Sequence, residues 1–289
     1  MRKDILLLDI CELSENKDDE VQVNSLALYL KNHPDLYFPH RHSFYHLVLF
    51  TKGKGSHTID FNEFLIKDYQ IYFMIPGQVH TWNFEGEMDG YVVNFSQSFF
   101  NSFLLKQDYL ESFSFFNSSV NDNVINLPNE IRETINTLFQ NLLSSVQNKS
   151  VYGTDLSRLL LLQIFILIEE KTNKNKISPV LNYNYTLLRN FQKLIEQHFS
   201  TLHLPKEYAE LLYITPNHLN ALCKDYTGLQ AGEIIRNRIL LEAKRLLVNR
   251  NLSISEIAYA LNFSDNSYFS KFFKKQIGIT PEEFRKKNL

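Results

Sequence analysis

The sequence predicts an α+β multidomain chain: an N-terminal β-barrel or sandwich with a helical hairpin, then an all-α domain carrying two helix-turn-helix units. Three observations predict it. Short apolar segments separated by turn residues fill roughly residues 20–96. A pattern of short capped helix, turn and second helix occurs twice near the C-terminus. Between these regions residues 171–184, KTNKNKISPVLNYN, lose the apolar pattern and contain Pro179, as a linker does. A length of 289 residues suits two domains, and 44% hydrophobic content is ordinary for a globular chain. The expected boundaries are therefore 1–170 (barrel about 20–96, helical pair about 129–170), linker 171–184, and 185–289.

Taken in order, the chain opens on Met1-Arg2-Lys3, but the apolar run 5–10 is short and Asp9 interrupts it, so no signal peptide is expected. VQVNSLALYL alternates with period 2 and reads as a strand. HLVLF, SHTIDF, EFLIKD, QIYFMI and GYVVNFS follow, with turn signals about every ten residues, as in a small barrel or sandwich. His40 and His42, two apart, share one strand face, as do His80 and Trp82. His33 and His57 read as loop or surface residues. The aromatic stretch 97–127 reads as a short helix and loop covering the barrel, or as a lid over a ligand pocket.

Two helices come next. IRETINTLFQNLLSSVQ carries Ile131, Ile135, Leu138, Phe139, Leu142 and Leu143 on one face. DLSRLLLLQIFILIEEK is apolar almost all round from residue 156 to 168, shorter than the roughly 20 residues a membrane span needs. Such a helix requires cover on two sides. The preceding helix supplies one and a second copy of the chain the other, so a homodimer through residues 129–170 is expected, the alternative being a purely internal core.

Past the linker, Leu188, Phe191, Leu194, Ile195 and Phe199 form the packing face of an opening helix. Pro205 begins the first repeated unit. In the second, Ser253 and Glu256 form a capping box, Ile257, Ala258 and Leu261 share a face, Asn262 and Phe263 make the turn, Ser264 caps the next helix and Gly278 ends it. Glu207 and Ala209 match Glu256 and Ala258 at an offset of 49 residues, and Lys224 and Gly228 match Lys274 and Gly278 at 50. The helix between the units, residues 231–250, spans roughly 30 Å, close to one turn of B-DNA. Charge is divided as well: from residue 180 onward there are 15 Lys/Arg against 10 Asp/Glu, a net +5, and before it 15 against 22, a net −7. A basic face beside two helix-turn-helix units suits nucleic acid.

The run Arg238-Ile239, Ala243, Leu246-Leu247, Ile254, Glu256-Ile257-Ala258, Phe263, Ser267-Tyr268-Phe269, Phe272-Phe273-Lys274, Gly278, Pro281 and Phe284-Arg285 resembles the DNA-binding domain of AraC-family transcription regulators over about residues 185–289. One departure is Asn262, where the family usually has Gly; Asn tolerates a left-handed backbone. The stretch from Phe38-Pro39-His40-Arg41-His42 to Pro76-Gly77-Gln78-Val79-His80 is similar to the family's cupin-like sensor barrel. The resemblance implies DNA contacts from Asn217, Asn220, Ala221, Lys224, Asn266, Ser267, Ser270 and Lys271. Asn pairs with adenine, and Lys with guanine or phosphate. It also implies an effector site near His40, His42, His46, His80 and Trp82, for a sugar or related metabolite. The implied partners are a double-stranded DNA operator, that effector and RNA polymerase, with no membrane.

Metal-binding cupins place a His-x-His pair, a carboxylate and a later His in this order, and His46 stands where the carboxylate would be. The resemblance favours no metal, no cofactor and no catalytic residue. The alternative is a metal-dependent cupin enzyme fused to a DNA-binding domain. A DNA-repair methyltransferase would need an activated Cys or a zinc site, and Cys11 and Cys223 are the only cysteines. Two isolated thiols suit a reducing cytoplasm.

Overall fold

A computed structural model describes residues 6–13, 20–100, 103–105, 109–116, 122–148, 150–172, 183–248 and 252–288. The chain divides into two compact units, within residues 5–175 and 176–289. Most of the expected linker, 173–182, lies outside the described residues.

Among its described residues the N-terminal unit has two facing five-stranded sheets. One has the order β1 (Leu6–Leu8), β3 (His40–His42), β8 (Val79–Phe84), β5 (Gly55–Ile59), β6 (Asn62–Leu65). The other runs β10 (Val124–Asn126), β7 (Gln70–Met74), β4 (Tyr45–Lys52), β9 (Asp89–Phe95), β2 (Val21–Ser25). Only the β1–β3 pair is parallel among the described residues. β1 and β10 lie outside the 20–96 range expected for the barrel, because three-residue strands carry too few side chains to show a period.

The expected strand over residues 21–30 is corrected. It ends at Ser25, and α2 (Leu26–Asn32) takes over, after the short helix α1 (Ile10–Leu13) earlier in the chain. Leu26 and Tyr29, three apart, are the buried pair of α2, so the same apolar residues serve a helix. Gly90, with φ at +143°, sits where β9 passes so close to β4 that a Cβ would run into the Leu49 carbonyl oxygen. This close passage adjoins the bulge between Phe50 and Lys52.

Alternation along β4 divides the interior in two. Val48 and Phe50 point between the sheets, with Ile59, Tyr72, Met74, Trp82 and Val92. Leu47 and Leu49 point the other way, with Ile71, Phe73, Val93 and Phe95, onto α3 (Asn129–Gln147) and α4 (Gly153–Thr172). Phe99, Phe100, Phe113, Phe115 and Phe116 belong to this second core, grouped around Phe165 of α4. The described part of the aromatic stretch is therefore packing between sheet and helices, and the lid reading is corrected. Arg158 of α4 ties it down, donating to the Phe99 carbonyl at 2.6 Å and pairing with Asp155 at 2.8 Å.

Among the described residues the C-terminal unit has seven helices: α5 (Tyr183–His198), α6 (Pro205–Leu211), α7 (Pro216–Thr227), α8 (Ala231–Leu247), α9 (Ile254–Ala260), α10 (Asn266–Ile277) and α11 (Pro281–Asn288). Ile235, Ile239, Ala243 and Leu247 bury one side of α8. Its other side is laced by Arg238, which pairs with Glu196 at 2.8 Å and Glu242 at 3.0 Å over the Phe199 ring. Arg285 of α11 donates to the carbonyls of Leu247 and Leu252, fastening the entrance to the second repeat. No helix among the described residues is long and apolar enough to cross a membrane.

Candidate DNA interface and effector site

The two repeats are built by the same local rules. Glu256 accepts from Ser253 N, and Ser253 Oγ accepts from Glu256 N, which closes the expected capping box. Glu207 does the same half of this work in the first repeat, accepting from His203 N and Leu204 N. Both turns then place a residue in the left-handed region, Tyr213 and Asn262, each with φ at +56°. Each turn closes with the same backbone bond, Ile214 N to Ala209 O and Phe263 N to Ala258 O. Asn262 also donates to the Thr201 carbonyl at 3.0 Å.

Thr215 caps α7 by accepting from His218 N. In the second repeat the expected cap, Ser264, is corrected to Asp265, whose carboxylate accepts from Tyr268 N at 2.7 Å. The extra residue of that repeat thus lies in the turn, ahead of the cap. That hydrogen bond holds the Asp265 carboxyl below the usual range. Gly228 and Gly278, with φ at +75° and +86°, end the two helices.

On α7, Leu219, Leu222 and Cys223 are buried, which leaves Asn217, Ala221 and Lys224 exposed. Asn220 is half-buried, and its Oδ1 accepts from Ala231 N at 3.1 Å, so it serves the start of α8. His218 is also exposed, one turn before Ala221. On α10, Phe269 and Phe273 are buried and Phe272 half-buried against Phe263. Asn266, Ser267 and Lys271 are exposed; Ser270 is half-buried and donates to Asn266 Oδ1. Lys274, also exposed, extends the face one turn and is the counterpart of Lys224, a correspondence already visible in the offset.

The second site lies between the sheets. β3 and β8 pair so that His40 stands opposite His80. β5 pairs with β8 so that His57 stands opposite Trp82 and Ile59 opposite His80. His42 follows His40 on the same face, and His46 comes across from β4, opposite Asn94. His40, His42, His46, His57, His80 and Trp82 are all buried, between 0% and 3% exposed. The surface reading of His57 is therefore corrected: it shares the face of Ile59, and the parity of that strand carried the signal. His33, at the end of α2, is half-buried.

Ring partners define which nitrogens face the middle. His40 Nδ1 donates to the Phe38 carbonyl at 2.7 Å. His46 Nδ1 lies 2.6 Å from Asn94 Oδ1, and Asn94 Nδ2 donates on to Gln22 Oε1, so the imidazole is the donor. His80 Nδ1 lies 3.0 Å from His57 Nε2. The Nε2 atoms of His40, His42, His46 and His80 are buried and have no hydrogen-bond partner. One ring nitrogen each from His40, His42 and His80 fall within 4.8 Å of one another. Burial disfavours the charged imidazole, taking His40 down to about 4 and His46 to about 3, and His42, His57 and His80 well below their ordinary value. The cluster is neutral at physiological pH and rich in inward lone pairs.

Residues 208–287 match the family described as "Helix-turn-helix domain", and residues 23–163 match "AraC-like ligand binding domain". The HTH-type transcriptional activator RhaR of Mannheimia succiniciproducens is 22% identical over 286 residues, covering 96% of this chain and 98% of that protein. RhaS of Salmonella schwarzengrund, also named a transcriptional activator, is 22% identical over 87% of this chain and 89% of its own length. The uncharacterized transcriptional regulatory protein YesN of Bacillus subtilis is 41% identical over 81 residues, so the chain spans only 22% of that relative's length. A solved structure of ToxT from Vibrio cholerae aligns over 92% of this chain and 98% of its own, at 17% identity and a TM-score of 0.46.

Proposed function

Because the chain belongs to the AraC family, a DNA-binding transcription regulator with an effector-binding domain, we propose that α7 and α10 read an operator in two successive major grooves. The reading residues are Asn217, Ala221 and Lys224 on α7 and Asn266, Ser267 and Lys271 on α10, with Asn220 and Ser270 supporting them from half-buried positions. The observation that carries this is the repeat of one geometry. Each helix starts at a capped, left-handed turn, ends at a left-handed glycine and leaves a polar face exposed. α8, 17 residues and roughly 26 Å long, is the spacer. A fusion of the DNA-binding domain to a cupin enzyme has no support among the relatives, which are regulators.

Two copies act together. On α4, Leu156, Leu159 and Ile166 are exposed, at spacings of three and seven that form one stripe on the side away from Leu161, Phe165 and Ile168. A second chain covering this stripe supplies the homodimer, and RNA polymerase is the partner at the promoter. The setting is the cytoplasm, where Cys11 and Cys223 stay as free thiols. The effector acts between the sheets, at His40, His42, His46, His80 and Trp82. A sugar or related metabolite there would have to part rings whose centroids stand 4.1 Å (His40–His80) and 4.9 Å (His40–His42) apart.

The test is selection of operator fragments from random DNA by the full chain, followed by footprinting. Protection of two grooves about 10 base pairs apart is expected for each bound chain. Protection of a single groove, unaltered by changes on α7, would overturn the two-helix reading.

A further inference from the structure

We infer that the histidine core is a binding site for a late first-row divalent metal ion such as Zn²⁺, held by His40, His42 and His80 with His46 as fourth ligand, and that this ion is the effector. The second half of this statement rests on the regulator reading above; the site itself does not.

A polar atom shut away from water without a partner loses its solvation with nothing in return. Here four imidazole Nε2 atoms lie in that state within one cluster, together with His57 Nδ1 and the Trp82 indole nitrogen. Close-packed barrels can be filled with Val, Leu and Phe, as the layer next to the cluster is, with Val48, Phe50, Ile59 and Val92. Four Nε2 lone pairs converging in that setting are explained by an electron-pair acceptor that uses all four at once.

The remaining nitrogens are arranged as a metal's outer partners would be. A ligating His usually passes its other N–H to a carbonyl, an amide or another acceptor, which fixes tautomer and ring angle. His40 does so to the Phe38 carbonyl and His46 to Asn94, itself oriented by Gln22. With an ion on its Nε2, His80 would carry its proton on Nδ1 and donate it to His57 Nε2, 3.0 Å away, which gives a role to a histidine that otherwise has none. In each case the nitrogen left over is Nε2, the one without a partner.

Distances fit an ion better than a larger molecule. Ligands around a tetrahedral Zn²⁺ at about 2.0–2.1 Å stand about 3.4 Å apart. The three nitrogens within 4.8 Å reach that by ring rotations of an ångström or so each. His46 follows, its ring centroid 4.6 Å from that of His42. No carboxylate belongs to the set, so it selects metals that favour imidazole over Mg²⁺ and Ca²⁺, whose ligands are oxygens.

The experiment uses the full chain, stripped with a chelator and dialysed. Zn²⁺ is titrated by calorimetry, Co²⁺ by its visible absorption, and Mg²⁺ serves as the control. One Zn²⁺ per chain is expected, a tetrahedral nitrogen-ligand Co²⁺ spectrum, and no Mg²⁺ binding. His80→Gln should weaken Zn²⁺ at least 100-fold, and His57→Gln about 10-fold through loss of orientation. Thermal melting guards against misfolded variants: Zn²⁺ should raise the melting temperature of wild type and leave that of a folded His80→Gln unmoved. No stoichiometric Zn²⁺ in folded wild type, or undiminished binding in His80→Gln, overturns the site. If Zn²⁺ binds but affinity for a selected operator is the same with and without it, the effector role falls and the site stands. If operator binding itself is absent, the regulator reading fails instead.

Discussion

Tyr213 offers a test of how the first reading unit is held. It occupies the left-handed region at φ +56°, yet its ring is 96% exposed and packs on nothing that would repay the strain. A left-handed backbone costs a non-glycine residue about 1–2 kcal/mol. Glycine removes that cost, while its extra freedom in the unfolded chain returns about 0.4–1 kcal/mol. The backbone bonds of the turn, Tyr213 N to Glu210 O and Ile214 N to Ala209 O, need no side chain and persist. Tyr213→Gly should therefore stabilise the C-terminal unit by about 0.5–1 kcal/mol, raising its melting temperature by roughly 2–8 °C. Tyr213→Ala keeps the strained backbone and should stay within about 0.5 kcal/mol of wild type. The pair separates backbone from side chain, and calorimetry of the full chain resolves the transition. A glycine variant no more stable than the alanine variant would refute the reasoning. Asn262 is the contrast: its side chain bonds to Thr201, so Asn262→Gly loses about as much as it relieves.

Three further outcomes are expected. Lys271→Ala and Asn217→Ala should each weaken binding to a selected operator by about 1–3 kcal/mol with unchanged melting, and wild-type affinity in both would show that the exposed faces are misassigned. In chelator, acidification should destabilise the N-terminal unit. A histidine whose folded pKa is depressed contributes fully above the unfolded value near 6.5 and loses that contribution as pH falls towards the folded value. With His40 at about 4 and His46 at about 3, pH 5 costs about 2 kcal/mol for each, so a melting temperature flat from pH 7.5 to 5 would contradict their burial. Burial pushes the Cys223 thiol up to about 12, so an aromatic disulfide reagent at neutral pH should label Cys11 and spare Cys223 until the chain unfolds; equal labelling of both would show the helix core to be open.

Legibility in the sequence followed the range of the interactions involved. The caps at Ser253 and Glu256 and the stops at Gly228 and Gly278 act over four residues or fewer, and each stands where the spacing put it. Among the caps, Ser264 gives way to Asp265 because two capping residues are adjacent and only the backbone decides which faces Tyr268 N. Asn220 shows a different limit. Its spacing marks it as outward, but the start of α8, eleven residues on, folds back to use it. In the barrel β4, β5, β6, β7 and β9 were legible as short apolar runs between turn signals, whereas β8 was marked only by the spacing of His80 and Trp82, and β1 and β10 exist through pairing with β3 and β7 and have no period of their own. His57 was legible in principle: the parity of Ile59 puts it inside, and only the habit of treating a lone histidine as polar surface put it outside.

That parity also explains how an event among the histidines can be felt elsewhere in the N-terminal unit. The sheet containing β4 is buried on both faces, so consecutive residues report to different cores. His46 faces the cluster, and its neighbour Leu47 faces α3 and α4. Asn94, which holds His46, is followed by Phe95, whose ring lies 6.2 Å from that of Phe165 on α4. Close-packed interiors transmit sub-ångström shifts because they have little void to absorb them. A rotation of His46 towards an ion therefore acts on a backbone whose next side chain touches the helices that carry the exposed Leu156, Leu159 and Ile166. Contact alone sets no direction. The helices respond to the extent that their two arrangements differ in affinity for what the histidines bind, and that difference bounds any change in DNA binding the effector can produce.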